Sequence, residues 1–286
     1  MGIHPHTLML LQYASKRRPL GCVATMGRQG MFMSASKLRS FLGPQAKLDH
    51  GQFCEEFLKS ELGAVSVESF DYSKYEGATH IFDFNQPVVH ETTYDTILNG
   101  GFLEHVFNVP QALQNISDLC AVGGQILHVL PANNLCGHGF FQFAPELFLS
   151  LYSERNGFAE TQVFLADVAN EKEWFEVCGS RRGEFAVFVS SAPVWMLVRT
   201  RKTRPAPPQN VQQTFYEHVW GGQPPVERPG SWAQRTAKKM ALAARESLVI
   251  RSARYVERKW QELLRPAMSV SSANPNLRRH VIGSLF

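Results

Sequence analysis

Cysteine is scarce in this chain, and its spacing carries no motif. Cys22, Cys54, Cys120, Cys136 and Cys178 make an odd number with no Cys-x-x-Cys among them. A disulfide framework, a zinc site and a dithiol redox centre are therefore not expected, and a reduced, cytoplasmic setting is. No apolar run approaches the roughly 20 residues of a membrane-spanning helix. The run Leu8-Met9-Leu10-Leu11 has no basic stretch before it and does not read as a signal peptide. Charge of one sign is also missing: the net charge is only +4, too mild to imply nucleic acid. The Gly-x-Gly-x-x-Gly fingerprint of dinucleotide enzymes is absent, and there is no internal repeat.

What remains is an ordinary globular composition, with 44% hydrophobic residues in 286. That is enough for one large domain or two small ones. The most informative stretch is residues 94–142. An apolar run leads into Asn99-Gly100-Gly101-Phe102-Leu103-Glu104-His105-Val106, and Val109, Leu113, Ile116 and Leu119 then recur at helical spacing. Gly123-Gly124 reads as a turn before a second apolar strand, Ile126 to Leu130. A polar loop follows, with Asn133, Asn134 and His138 between Gly137 and Gly139. Strand, helix and strand in this length make a βαβ unit, which is right-handed and gives parallel strands. Open α/β sheets bind ligands at the carboxyl ends of such strands.

Other short apolar runs predict strands ending near Met26, Phe70 and Phe82, each followed by glycine or a polar turn. A lead-in helix is expected over residues 4–18, and further helices over 36–41, 53–62 and 144–151. Strands are expected over 160–167, 185–190 and 194–200, the last two as an edge hairpin or a bulged strand. From Arg199 the chain turns basic and then proline-rich, which reads as a linker. Residues 231–264 have helical spacing, and 231–265 hold nine Lys or Arg against three Glu. That helix predicts either a solvated face or a contact with anionic membrane or a phosphorylated partner.

The central stretch resembles the class I S-adenosylmethionine-dependent methyltransferases. Asp95-x-Ile97 followed by Leu103-Glu104-His105-Val106 is similar to that family's fourth strand and its Leu-Glu-His signature, and Gly123-Gly124 to the turn before its fifth. The resemblance covers residues 15–202 and implies a Rossmann-like α/β fold with a seven-stranded, mostly parallel sheet flanked by helices. The implied organisation is a methyltransferase-like domain over 1–204, a Pro/Gly-rich linker over 205–230 and a basic helical extension over 231–286. The implied cofactor is S-adenosylmethionine. Gly27 and Arg28 would form its glycine loop, Asp71 would accept from the ribose hydroxyls, and Asp83 would sit near the adenine amine. Gly100, Gly101 and Glu104 would complete the cofactor-binding set.

A weakly acidic acceptor needs a general base, and His138 and His105 are the candidates. The expected acceptor is a small molecule or glycan intermediate, since 133–142 is rich in Asn, His and Gln. No nucleic-acid partner is expected, because an Asn-Pro-Pro-Tyr-like or Cys-centred site is missing. Two alternatives stay open: a degenerate fold kept as a binding or scaffold module, and a nucleotide-sugar or dinucleotide enzyme.

Overall fold

Alternating apolar residues place two layers of side chains on opposite faces of one sheet. In the computed structural model, Ile97 and Ile126 pack on one face and their neighbours Leu98 and Leu127 on the other. The structure describes residues 2–46, 51–178, 190, 192–205, 211–221 and 277–284. The strands are β1 (Gly2–Ile3), β2 (Cys22–Met26), β3 (Gly30–Met31), β4 (Ser66–Asp71), β5 (His80–Ile81), β6 (Tyr94–Gly100), β7 (Cys120–Asn133), β8 (Phe158–Asp167), β9 (Glu173–Val177), β10 (Val194–Lys202) and β11 (Leu277–Val281). The helices are α1 (Pro5–Ser15), α2 (Ala35–Leu42), α3 (Glu55–Leu62), α4 (Val109–Leu119), α5 (Pro145–Leu151) and α6 (Thr214–Trp220).

The main sheet has the order β11-β9-β8-β10-β7-β6-β2-β4-β5. From β5 to β7 all neighbours are parallel, and from β7 to β11 all are antiparallel. The expected Rossmann-like α/β architecture is present, but among the described residues the sheet has nine strands rather than seven. The extra pair arises because the chain folds back after β8 through two side-chain-capped turns. Asp167 Oδ1 accepts from Ala169 N–H, and Asn170 Oδ1 from Lys172 N–H. β9 then covers the free edge of β8, and β11 covers β9.

Two further expectations change. β10 is not an edge strand; it lies between β7 and β8 and bonds to both. Its basic residues are part of the sheet rather than a linker. Arg199 is buried against Gln125 and Glu160, and Lys202 Nζ donates to the carbonyls of Ser117 and Cys120 at the end of α4. A cation satisfies exposed carbonyls at a helix C-terminus, which offsets the cost of burying it. Gly123-Gly124 is a bulge inside β7 rather than a turn before it. The register with β6 shifts there, and a Cβ on Gly124 would lie 2.9 Å from the carbonyl oxygens of Ala121 and Asp95.

α1 is apolar nearly all round and correspondingly buried, with Leu8 through Leu11 inaccessible. It shares one face of the sheet with α2 and α3, whereas α4 and α5 pack on the other. Within the stretch read as a linker, Thr214–Trp220 is helical. The helix expected over 231–264 and the strand residues 185–189 lie outside the described residues. No helix among the described residues is long and apolar enough to cross a membrane.

Candidate functional site

The parallel strands end side by side. Met26 pairs with Phe70 on one side and Asn99 on the other. Gly27 N–H donates to Phe70 O at 2.7 Å, and Phe82 N–H to Asp71 O at 2.7 Å. Along the carboxyl edge of the sheet the order is therefore Gly100 and Gly101, then Gly27, Asp71 and Asp83. Asp71 Oδ1 caps the N–H of Tyr72, and Asp83 Oδ1 accepts from both the N–H and the side-chain amide of Asn85. Each turn thereby holds its own carboxylate in place.

The turn after β2 is unusual in how it reaches its helix. Gly27 takes a positive φ of 71°, and the chain then leaves the sheet for an excursion that carries β3 and α2. The excursion is closed at its base: Met31 N–H donates to Gln52 O and Cys54 N–H to Gln29 O, both at 2.9 Å. In space α3 thus follows the Gly27-Arg28-Gln29 turn almost directly. The excursion accounts for the long sequence gap between Gly27 and Asp71, and β2 lies within the parallel part of the sheet, between β6 and β4. β3 pairs with β1, bringing the N-terminus over the site.

A second group of side chains stands over β6 and β7. Asn99 Oδ1 accepts from the N–H of Phe102 and Leu103, which winds Leu103–His105 into a single 3-10 turn. Asn99 Nδ2 donates to His128 Nδ1 at 2.8 Å, leaving Nε2–H of that ring for the Tyr152 hydroxyl, also 2.8 Å away. Full burial keeps His128 neutral, with its pKa lowered to about 3. The turn directs Glu104 inward. Its side chain is 0% exposed, and neither carboxyl oxygen has a hydrogen-bond partner.

The loop after β7 closes over this carboxyl, with Phe140 N–H donating to Glu104 O at 2.8 Å. His138 Nε2 lies 3.3 Å from Glu104 Oε1, and His105 Nε2 lies 4.0 Å from the same atom. Gly139 makes the approach possible. Its φ is 80°, and a Cβ there would come within 2.9 Å of the carbonyl oxygen and Cγ of Glu104. Burial pushes the Glu104 carboxyl up to about 7. Burial, reinforced by the facing His138, holds His105 below its ordinary value.

Residues 49–182 match the family model described as a methyltransferase domain. The matched segment, slightly less than half of the chain, is similar to a methyltransferase domain. The methyl donor that the family implies is S-adenosylmethionine. Among solved structures, the chain is similar to TehB from Haemophilus influenzae at 18% identity and a TM-score of 0.40, over 70% of this chain and 62% of that one. It is also similar to the N-methyltransferase NodS from Bradyrhizobium japonicum, at 12% identity and a TM-score of 0.39, over 70% and 95%. A possible histamine N-methyltransferase from Thermotoga maritima shares 11% identity at a TM-score of 0.38, over 70% and 89%. The chain spans less than two thirds of TehB. No curated protein matches it.

The match begins beyond β2, so the methyltransferase domain as the family model defines it omits the Gly27 turn. Of the residues expected to meet the cofactor, Gly27, Asp71, Asp83, Gly100 and Gly101 are contiguous. Arg28 instead turns to Glu55, at 2.6 Å, and to the carbonyl of Glu76. Glu104 stands with His105 and His138, the two candidate bases.

Sequence reasoning missed Gln29. It is fully buried beside Gly100, its Nε2 donates to Met26 O, and its Oε1 has no partner. An orphaned acceptor at this place fits a ligand that brings a donor, such as the α-ammonium group of S-adenosylmethionine. Also missed was the cover formed by Gly2, His4, Phe32 and Trp195, which with Gly100, Gly101, Val129 and His138 enclose about 130 Å³. His4 stacks on Trp195, and Trp195 meets His138 edge-on. No local pattern signals these contacts, because they join the first residues of the chain to β10.

Proposed function

We propose that the chain transfers a methyl group from S-adenosylmethionine to a hydroxyl of a small-molecule or glycan-type acceptor. The observation that carries this reading is the contiguity of the strand-end set with the Glu104–His138 pair: one could hold a cofactor while the other faces an acceptor. When bound, S-adenosylmethionine supplies a methyl group activated on a sulfonium. The chain's own contribution is alignment, which in well-oriented reactions is worth about 7–11 kcal/mol.

In this reading Asp71 accepts from the ribose hydroxyls, Asp83 lies at the adenine end, and Gln29 Oε1 with the Gly100–Gly101 backbone receives the amino-acid end. His138 is placed to take a proton from the acceptor. It sits on the loop after β7 and lines the enclosed space, which at about 130 Å³ is smaller than the roughly 300–1,000 Å³ of a full ligand pocket and fits a single reacting group.

Calorimetric titration of S-adenosylmethionine and its demethylated product tests the cofactor half. Asp71→Ala is expected to weaken binding by about ten- to a hundredfold, since a charge-assisted hydrogen bond is worth ~1.5–3 kcal/mol and ~1.4 kcal/mol is one decade. No heat from the unaltered protein at millimolar ligand would replace catalysis with a binding or scaffold role. Full affinity in Asp71→Ala would remove Asp71 from the site.

A further inference from the structure

We propose that Glu104, His105 and His138 bind a single divalent transition-metal cation, with Zn²⁺ and Co²⁺ as the suited ions. The strongest observation is Glu104 itself. A carboxyl with no exposed surface and no hydrogen-bond donor on either oxygen is costly to bury, and native structures rarely leave such a group without a partner. Among the described residues, the ionisable side-chain atoms within 4.0 Å of it are imidazole nitrogens, at 3.3 Å and 4.0 Å. One ligand atom from each of the three residues lies within 4.8 Å of the other two. Tetrahedral coordination at ~2.0–2.1 Å, the usual length for histidine and carboxylate ligands, places neighbouring ligand atoms about 3.3 Å apart. The Glu104–His138 separation already meets that. His105, on an exposed turn, starts 4.0 Å from Glu104 Oε1 and within 4.8 Å of the His138 ligand atom, so it closes on both by a side-chain adjustment.

The ligand chemistry selects the cation class. Two imidazoles and one carboxylate suit zinc, cobalt or iron, whereas magnesium and calcium favour all-oxygen sets. Three protein ligands leave at least one coordination position open, as in catalytic rather than structural sites. Both histidines are about half-exposed, at 46% and 44%, so an ion has a path to the carboxylate. The backbone is shaped for the cluster: Asn99 winds the turn that aims Glu104 inward, and Gly139 lets the His138 loop lie on it. The site stands on this geometry alone. If the methyl-transfer reading holds as well, the open position would take the acceptor's oxygen, and the bound cation rather than His138 as base would favour loss of its proton.

The test is titration of Co²⁺ into chelator-treated full-length protein, followed by visible absorption, with Zn²⁺ as competitor. The expected result is one equivalent of Co²⁺ bound with ligand-field bands, displaced by Zn²⁺. Glu104→Gln and His138→Asn should each weaken it at least tenfold, and His90→Ala, in a separate Glu–His–His group, should leave it unchanged. His138→Asn sits on an exposed loop and keeps the test decisive if Glu104→Gln does not fold. No binding at millimolar Co²⁺, equal binding in wild type and His138→Asn, or loss only in His90→Ala would overturn the proposal. Calorimetry of S-adenosylmethionine on the same samples separates the two readings: cofactor binding without cobalt binding removes the metal site alone, and cobalt binding without cofactor binding removes the methyl-transfer reading alone.

Discussion

Two groups of one glutamate and two histidines occur in this molecule, and they are built in opposite ways. Glu68, His80 and His90 stand near the β4–β5 edge. There Glu68 Oε2 accepts from the Tyr94 hydroxyl at 2.5 Å and lies 2.7 Å from His80 Nε2. His90 Nε2 is 3.1 Å from the same hydroxyl. These hydrogen bonds, Tyr94 first and His80 second, hold the Glu68 carboxyl below its ordinary range. Among the described residues, Glu104 also faces two histidines but no tyrosine; it is more deeply buried, neither oxygen makes a hydrogen bond, and its pKa moves the other way. A satisfied carboxylate stabilises the fold that holds it. An unsatisfied buried one costs stability and therefore points to something the folded chain is built to receive.

The contrast is broken most directly by removing each charge. Glu104 has a folded pKa of about 7 against an ordinary 4.5. Its carboxyl is protonated in both states below pH 4.5. Between 4.5 and 7 the unfolded chain ionises first, so stability falls as pH rises through that window. At ~1.4 kcal/mol per unit the full cost is about 3 kcal/mol. Metal-free Glu104→Gln should therefore melt several degrees higher than wild type at pH 8 and at the same temperature at pH 4. Thermal melts at both values check this, and an equal difference at the two would contradict it.

Next in size is the loop that covers Glu104. Gly139→Ala forces a non-glycine residue to a φ of 80° and drives its Cβ against Glu104. A loss of about 2 kcal/mol is expected by denaturant titration. Gly137→Ala, where a Cβ would meet nothing within 4 Å, should change little and serves as its control.

The smallest effect is expected at the satisfied group. Glu68→Gln removes charge-assisted bonds from a side chain 37% exposed, and solvent screening limits the loss to about 1 kcal/mol. Because the folded pKa of Glu68 is depressed, its contribution is present above its unfolded pKa and disappears as pH falls through the folded value. The Glu68 and Glu104 variants should therefore show opposite signs at pH 8, by the same melts. Stabilisation in both would mean that hydrogen bonding does not distinguish the two groups.

Much of the sheet was legible because each strand is a short apolar run that ends in a glycine or a carboxylate. Those endings fall on one edge by topology, which places Gly27, Asp71, Asp83, Gly100 and Gly101, expected from the family resemblance, at neighbouring strand ends. Charge misled where it is buried. Arg199 and Lys202 look like the start of a linker, because nothing local shows that Glu160, Gln125 and two helix-end carbonyls wait for them. β9 and β11 were missed because an edge is extended by whatever distant segment can pair with it.

The sequence by itself determined the parallel half of the sheet, its glycine and acid endings and the Leu103-Glu104-His105 turn. Those follow from periodicity and from turn chemistry a few residues long. Only the tertiary structure decided which polar groups are satisfied. The unpartnered state of Glu104 depends on the loop at His138 and Gly139, and that of Gln29 Oε1 on the close pass of Gly100. Hydrogen-bond satisfaction is a property of three-dimensional neighbours, and no local spacing in the chain encodes it.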